Sequence, residues 1–108
     1  MVAANLTSTN LISAILTSAD LTRANLASQD LTSQNLSYAN LTYANLTYAN
    51  LTNANLGYAN LTNANLYGAD MYNNPNMVGA NVTGATGCST VAPAGFYGPS
   101  GWFDGCAN

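Results

Sequence analysis

A leucine recurs at every fifth position from Leu6 to Leu66, broken only by its spacing from other residues and never by a shift of frame. No regular element keeps residues so spaced on one face. An α-helix turns about 100° per residue, so steps of five scatter side chains around its barrel. A straight strand has period two, so leucines five apart alternate between its faces. The chain must therefore turn at every repeat. The neighbouring positions are just as ordered: in "ANLTYANLTYANLTNANLGYANLTNANL", residues 39–66, a small residue stands two places before each leucine and Asn one place before. Thr usually follows.

Self-similarity at a fixed period points to a stacked architecture. In an extended segment residues two apart share a face, so the small residue and the leucine both point inward. Asn and Thr, flanking the leucine, then point outward, and the rest of the repeat turns the corner. Coils built from such sides stack about 4.8 Å apart with their backbones paired. The period by itself permits polygons with different numbers of sides.

From residue 4 to 73 the repeats resemble the pentapeptide-repeat family, whose signature is A(D/N)LXX. The resemblance implies an all-β fold, a right-handed quadrilateral β-helix (a β-solenoid) with four five-residue sides per coil. The frame slips once. Met71 is a centre, and the next, Met77, lies in "NNPNMVG". Asn74 reads as a one-residue insertion and Pro75 as the small inward residue, at a bulge or corner because proline has no N–H for a ladder. "ANVTG" resumes with Val82, and "ATGCS" fades out. Residues 1–87 thus form a solenoid of about four coils, about 20 Å tall, and residues 88–108 a capping segment.

Four-sided coils place outward residues in columns. Thr22, Thr42, Thr62 and Thr83 form one, beside Asp20, Asn40, Asn60 and Asn81. Tyr38 and Tyr58 are expected to stack at one corner, with Tyr43 and Tyr48 at the next two. Thr and Tyr suit extended backbone and pair across strands, and stacked Asn can form amide ladders, so these columns read first as devices that hold coils together. A second reading is a flat Thr/Asn array that meets a repeating surface: ice, a polysaccharide or another copy of the chain. The sequons at Asn5, Asn40, Asn45, Asn50 and Asn60 are generated by the repeat itself.

The ends of a solenoid expose its core unless capped. Cys88 and Cys106 stand about 18 residues apart, a separation suited to a disulfide worth on the order of 3 kcal/mol, with two buried thiols as the alternative. Between them Phe96, Tyr97, Trp102 and Phe103 supply a lid for the C-terminal end. A disulfide implies an oxidising compartment and hence an extracellular or cell-surface protein. "MVAANLTSTN" has neither the basic n-region nor the apolar h-region of a signal peptide. The first coil shows no lid, and there Ile12 replaces the outward Thr and Ile15 the outward Asn. These features predict a chain that associates with itself end to end, as a filament if the contact is head to tail and a closed dimer if it is head to head.

Charge excludes much else. Arg23 is the sole base, and Asp20, Asp30, Asp70 and Asp104 are the only acids; His, Lys and Glu are absent. Without histidine there is no Ser-His or Cys-His pair, and the aspartates fall on separate repeats, so an enzyme is not expected. Two cysteines cannot make a four-ligand zinc site, and no cofactor or metal is expected. One arginine cannot neutralise a phosphate track, so nucleic acid is not an expected partner. No apolar run approaches the roughly 20 residues of a membrane span. Some members of the family resemble DNA and act on topoisomerases, a role that calls for a strongly negative rod; the net charge here is −3.

Overall fold

The computed structural model describes residues 4–7, 10–11, 14–71 and 76–88. Each repeat runs extended through its small residue, its Asn or Asp and its centre, and then turns. The Ala24 N–H donates to the Leu21 carbonyl at 3.0 Å, and Arg23, between them, has φ 59°. A left-handed third residue in a four-residue turn is the type II pattern. It recurs from Ala14 N–H on Leu11 to Ala85 N–H on Val82. The expected flat Asn-Leu-Thr side is therefore shorter than anticipated. Thr sits in the turn, because the carbonyl of the centre already closes the corner.

Successive coils pair in parallel. Leu21 N–H donates to Asn40 C=O at 2.8 Å, Arg23 N–H to Thr42 C=O at 2.9 Å, and Asn40 N–H to Ala19 C=O at 2.9 Å. Bridges join Asp20 to Asn40 and Asn40 to Asn60, and the same step of 20 residues separates Asn25 from Asn45. Four repeats therefore make one coil. Asn50 still pairs with Asp70, but Asn55 pairs with Asn76, a step of 21. One residue is thus inserted between Asp70 and Asn76; the assignment of that residue to Asn74, and of Pro75 to the inward place, lies outside the described residues. The longer step persists to the one continuous ladder among the described residues, β1 (Asn65–Tyr67) against β2 (Thr86–Cys88), in parallel register with Leu66 opposite Gly87.

The leucines form the core. Centres from Leu21 to Leu66, together with Met71, have no exposed surface, and Ala24, Ala39, Ala44, Ala49, Ala54, Ala59, Ala64 and Ala69 fill the space beside them. Burying each leucine contributes about 1.5–3 kcal/mol, and alanine at the second inward position is what lets the narrow coil close. The outer coils are less well covered: Leu6, Leu11 and Leu16 keep a little surface, and Met77 and Val82 are half-buried. Two inward positions carry amides. Gln29 and Gln34 are buried where alanine usually stands, and Gln34 Nε2 donates to the Leu11 carbonyl at 2.6 Å. A buried amide is tolerated when it finds such a partner.

The proposed lid residues Phe96, Tyr97, Trp102 and Phe103, the cysteine partner Cys106 and the isoleucine Ile12 lie outside the described residues, as does the pairing of Cys88.

Candidate functional site

The chemistry of the surface is set by the outward Asn or Asp. Its Oδ1 turns back along its own repeat and accepts from the residue two places on. Asp20 Oδ1 takes the Thr22 N–H at 3.1 Å and the Thr22 hydroxyl at 2.6 Å. Asn40 and Asn60 do the same for Thr42 and Thr62. Asn81 accepts from the Thr83 N–H at 3.0 Å. Only an oxygen is used, which explains why Asn and Asp interchange at this place. Amide bonds between coils run from Asn45 to Asn25 at 3.4 Å and from Asn76 to Asn55 at 2.9 Å.

Hydrogen bonding from Thr22 and Thr32, first through the hydroxyl and then through the backbone N–H, holds the carboxyls of Asp20 and Asp30 below the ordinary aspartate value. These bonds favour the ionised form. In this array Asp20, Asn40 and Asn60 are thus each paired with the threonine of their own repeat. The hydroxyls of Thr22, Thr42 and Thr62 donate to the outward Asp20, Asn40 and Asn60 side chains.

The left-handed corner residues form columns of their own. Ser18, Tyr38, Tyr58 and Gly79 follow one corner, and all four have positive φ. Tyr38 and Tyr58 lie nearly parallel, 10° apart, with ring centroids separated by 5.2 Å. Tyr58 in turn covers Gly79, where a Cβ would come within 2.5 Å of its ring. At the next corner the Arg23 guanidinium sits 4.7 Å from the centre of the Tyr43 ring, a cation–π contact. At a third, Tyr48 covers Gly68 and meets Tyr67 edge-on, with centroids 5.8 Å apart. Arg23, Tyr38, Tyr48 and Tyr58 thus each lean on the coil that follows.

The described charged residues fall on two of the four sides, and exposed tyrosines stand at corners on charged and uncharged sides alike. Asp20 and Arg23 belong to the side centred on Leu21, Leu41, Leu61 and Val82; Asp30 and Asp70 belong to that centred on Leu11, Leu31, Leu51 and Met71. The side centred on Leu16, Leu36, Leu56 and Met77 carries no charge. It carries instead Ile15, 90% exposed, with Tyr38, Tyr58 and Val78 at 61%, 56% and 63% down the same flank and corner. Ile15 occupies the outward place that Asn35, Asn55 and Asn76 hold in the coils beneath it. The stripe gathers residues from four coils, and only the length of the coil brings them together. Val78 was not singled out by its sequence; its place after the centre Met77, where Thr is usual, was the available signal.

Among the described residues no cluster of three or more His, Cys, Asp or Glu could hold a metal, and no helix is long and apolar enough to cross a membrane.

A family model for pentapeptide repeats matches the chain in eight copies, over residues 1–33, 35–73 and 49–86. Among solved structures, the chain is similar to alr5209, a pentapeptide repeat protein from Nostoc Pcc 7120, with 32% identity and a TM-score of 0.59. That match covers 76% of this chain and 68% of the other. It is also similar to Rfr23, a pentapeptide repeat protein from the cyanobacterium Cyanothece 51142, with 38% identity over 64% of this chain, 53% of that one and a TM-score of 0.42. No curated protein matches the chain.

Proposed function

The chain belongs to the pentapeptide-repeat family, whose members fold as right-handed β-helices and are generally non-catalytic, and from that premise we propose that it is a structural solenoid that associates with itself. The observation that carries this reading is Ile15. In every other described repeat from Asn5 to Asn81 the outward place before the centre holds Asn or Asp; here it holds an isoleucine with nine-tenths of its surface exposed. A single exposed apolar residue is ordinary, but this one heads an uncharged stripe that continues through Tyr38, Tyr58 and Val78.

The partner we propose is a second copy. The chain is acidic overall, with a net charge of −3, and its described acids lie on two other sides. Two copies meeting through the stripe keep those aspartates away from the contact, so like charges do not oppose it. The alternation of the repeat puts Ile15 on the flank of the first coil, so the contact it supports is side by side. End-to-end contact through the same coil, with filament growth, is the second form of this proposal; it rests on Ile12 as well as Ile15 and on polar ladder edges that join head to tail.

Closure of the far end by Phe96, Tyr97, Trp102 and Phe103, with Cys88 joined to Cys106, belongs to the same proposal, as does an extracellular or cell-surface location. Half-buried Met77 and Val82 on the last coil are the surface such a lid would cover. Recognition of ice or polysaccharide by the Thr/Asn face has weaker support, because the hydroxyls of Thr22, Thr42 and Thr62 already donate to the Asp or Asn of their own repeat. A DNA-like role has weaker support still, with so few acids on the shaft.

Sedimentation or light scattering over a range of concentrations tests the reading. The chain is expected to form dimers or larger species as concentration rises, and Ile15→Asn, which restores the repeat, to remain monomeric without melting earlier. A parent chain that stays monomeric at high concentration overturns the proposal.

A further inference from the structure

Tyr38 and Tyr58 are the one face-to-face pair among the described tyrosines. Their rings lie 10° from parallel at a centroid separation of 5.2 Å, on successive coils, and more than half of each residue is exposed. Near-parallel rings at that separation face one another across the two coils. Both are anchored at Cα by the same left-handed corner, with φ 61° and 57°, so the pair is held in register by the ladder beneath it.

We propose that this pair is a site of oxidative cross-linking, where a one-electron oxidant such as a haem peroxidase with hydrogen peroxide joins the two rings as dityrosine. Each phenol gives one electron to the oxidant and its hydroxyl proton to water, leaving a phenoxyl radical with spin on the carbons ortho to the oxygen. Two such carbons couple through the faces of the rings, which is the approach that stacking provides. A carbon–carbon bond forms. Each coupled carbon then loses its hydrogen as a proton while the ring oxygen regains one, restoring both phenols. Two hydrogen atoms leave in total, and one peroxide becomes two waters.

The other described tyrosines lack this arrangement. Tyr48 and Tyr67 meet at 89°, so the rim of one faces the plane of the other. Tyr43 lies under the Arg23 guanidinium, whose positive charge opposes loss of an electron from the ring, and the corner below it is Asn63. The product would join the second coil to the third by a covalent bond, in a shaft whose described coils are otherwise held by hydrogen bonds and packing. The site does not depend on the self-association proposed above.

The test treats the whole chain at high dilution with peroxidase and limiting peroxide, and runs Ile15→Asn in parallel so that association has no bearing. The expected result is dityrosine fluorescence from a species of monomer size, two hydrogens lighter, in which mass spectrometry links the peptides holding Tyr38 and Tyr58. Tyr38→Phe or Tyr58→Phe keeps the stacked rings and abolishes the link, whereas Tyr43→Phe and Tyr48→Phe leave it unchanged. The linked chain is expected to melt at a higher temperature than the untreated one. Coupling only between chains, coupling through another pair, or no coupling under conditions that dimerise free tyrosine would each overturn the proposal.

Discussion

Asn40 Oδ1 accepts two hydrogen bonds from Thr42, one from its backbone N–H at 3.1 Å and one from its hydroxyl at 2.6 Å. The side chain of one residue thereby fixes both the entry to the turn and the rotamer of the next. This pairing accounts for two of the five positions of the repeat.

Removing the hydroxyl alone tests its share. Thr42→Val keeps the shape and the backbone bond, and is expected to cost about 0.5–1 kcal/mol, the usual net worth of one hydrogen bond. Asn40→Ala loses both bonds and should cost more, by about the same increment again. Urea titration of the two variants checks the order; equal stability to the parent would show that water replaces these bonds without loss.

Acid stability follows from the same geometry. Asp20 and Asp30 have their carboxyls lowered chiefly by the hydroxyls of Thr22 and Thr32. A group whose folded value is depressed adds stability that is present above its unfolded value and lost as pH falls through the folded one. The parent should therefore lose stability between roughly pH 4 and the lower folded values. Asp20→Asn with Asp30→Asn should flatten that loss while leaving neutral stability nearly unchanged, since asparagine makes the same bonds elsewhere. Thermal melts across that range measure the difference.

The corners store strain that glycine can release. Ser33 has φ 58°, a conformation that costs an ordinary residue about 1–2 kcal/mol, part of which glycine returns through the flexibility of its unfolded chain. Ser33→Gly is expected to stabilise by about 0.5–1 kcal/mol. Gly68→Ala should act in the opposite direction, because φ is 70° and the new Cβ would meet the Tyr48 ring at 2.6 Å. A gain for alanine at Gly68 would contradict the stacking of Tyr48 on that corner.

Core truncation should depend on height in the shaft. Leu46 is fully buried between coils, and Leu46→Ala is expected to cost about 2–5 kcal/mol. Leu6, on the first coil, keeps 7% of its surface and has a coil on only one side among the described residues. Leu6→Ala should cost less, because the space it leaves can open to water. Denaturation midpoints for the two variants check the gradient.

Much of this architecture was legible in the residues themselves. Leu at every fifth place, with Ala two before it, forced those side chains inward whatever the polygon, because alternation along an extended segment is a local rule. The step from Met71 to Met77 announced the longer coil that pairs Asn55 with Asn76. The left-handed corners were missed, although Gly68, Gly79 and Gly84 occupy the same place in three late repeats and offered a signal. Among the described residues ten others take that conformation as well, and the serines, the tyrosines and Arg23 among them give no hint of it by type.

What the sequence determined alone was the local part: which residue of each five faces in, and where the frame slips. The coil length was decided in three dimensions, because it depends on pairing between residues 20 or 21 positions apart. So was the surface. Ile15, Tyr38, Tyr58 and Val78 share one uncharged side only because the ladder brings each coil round to the same register. Spacing along the chain carries that information only once the circumference is known.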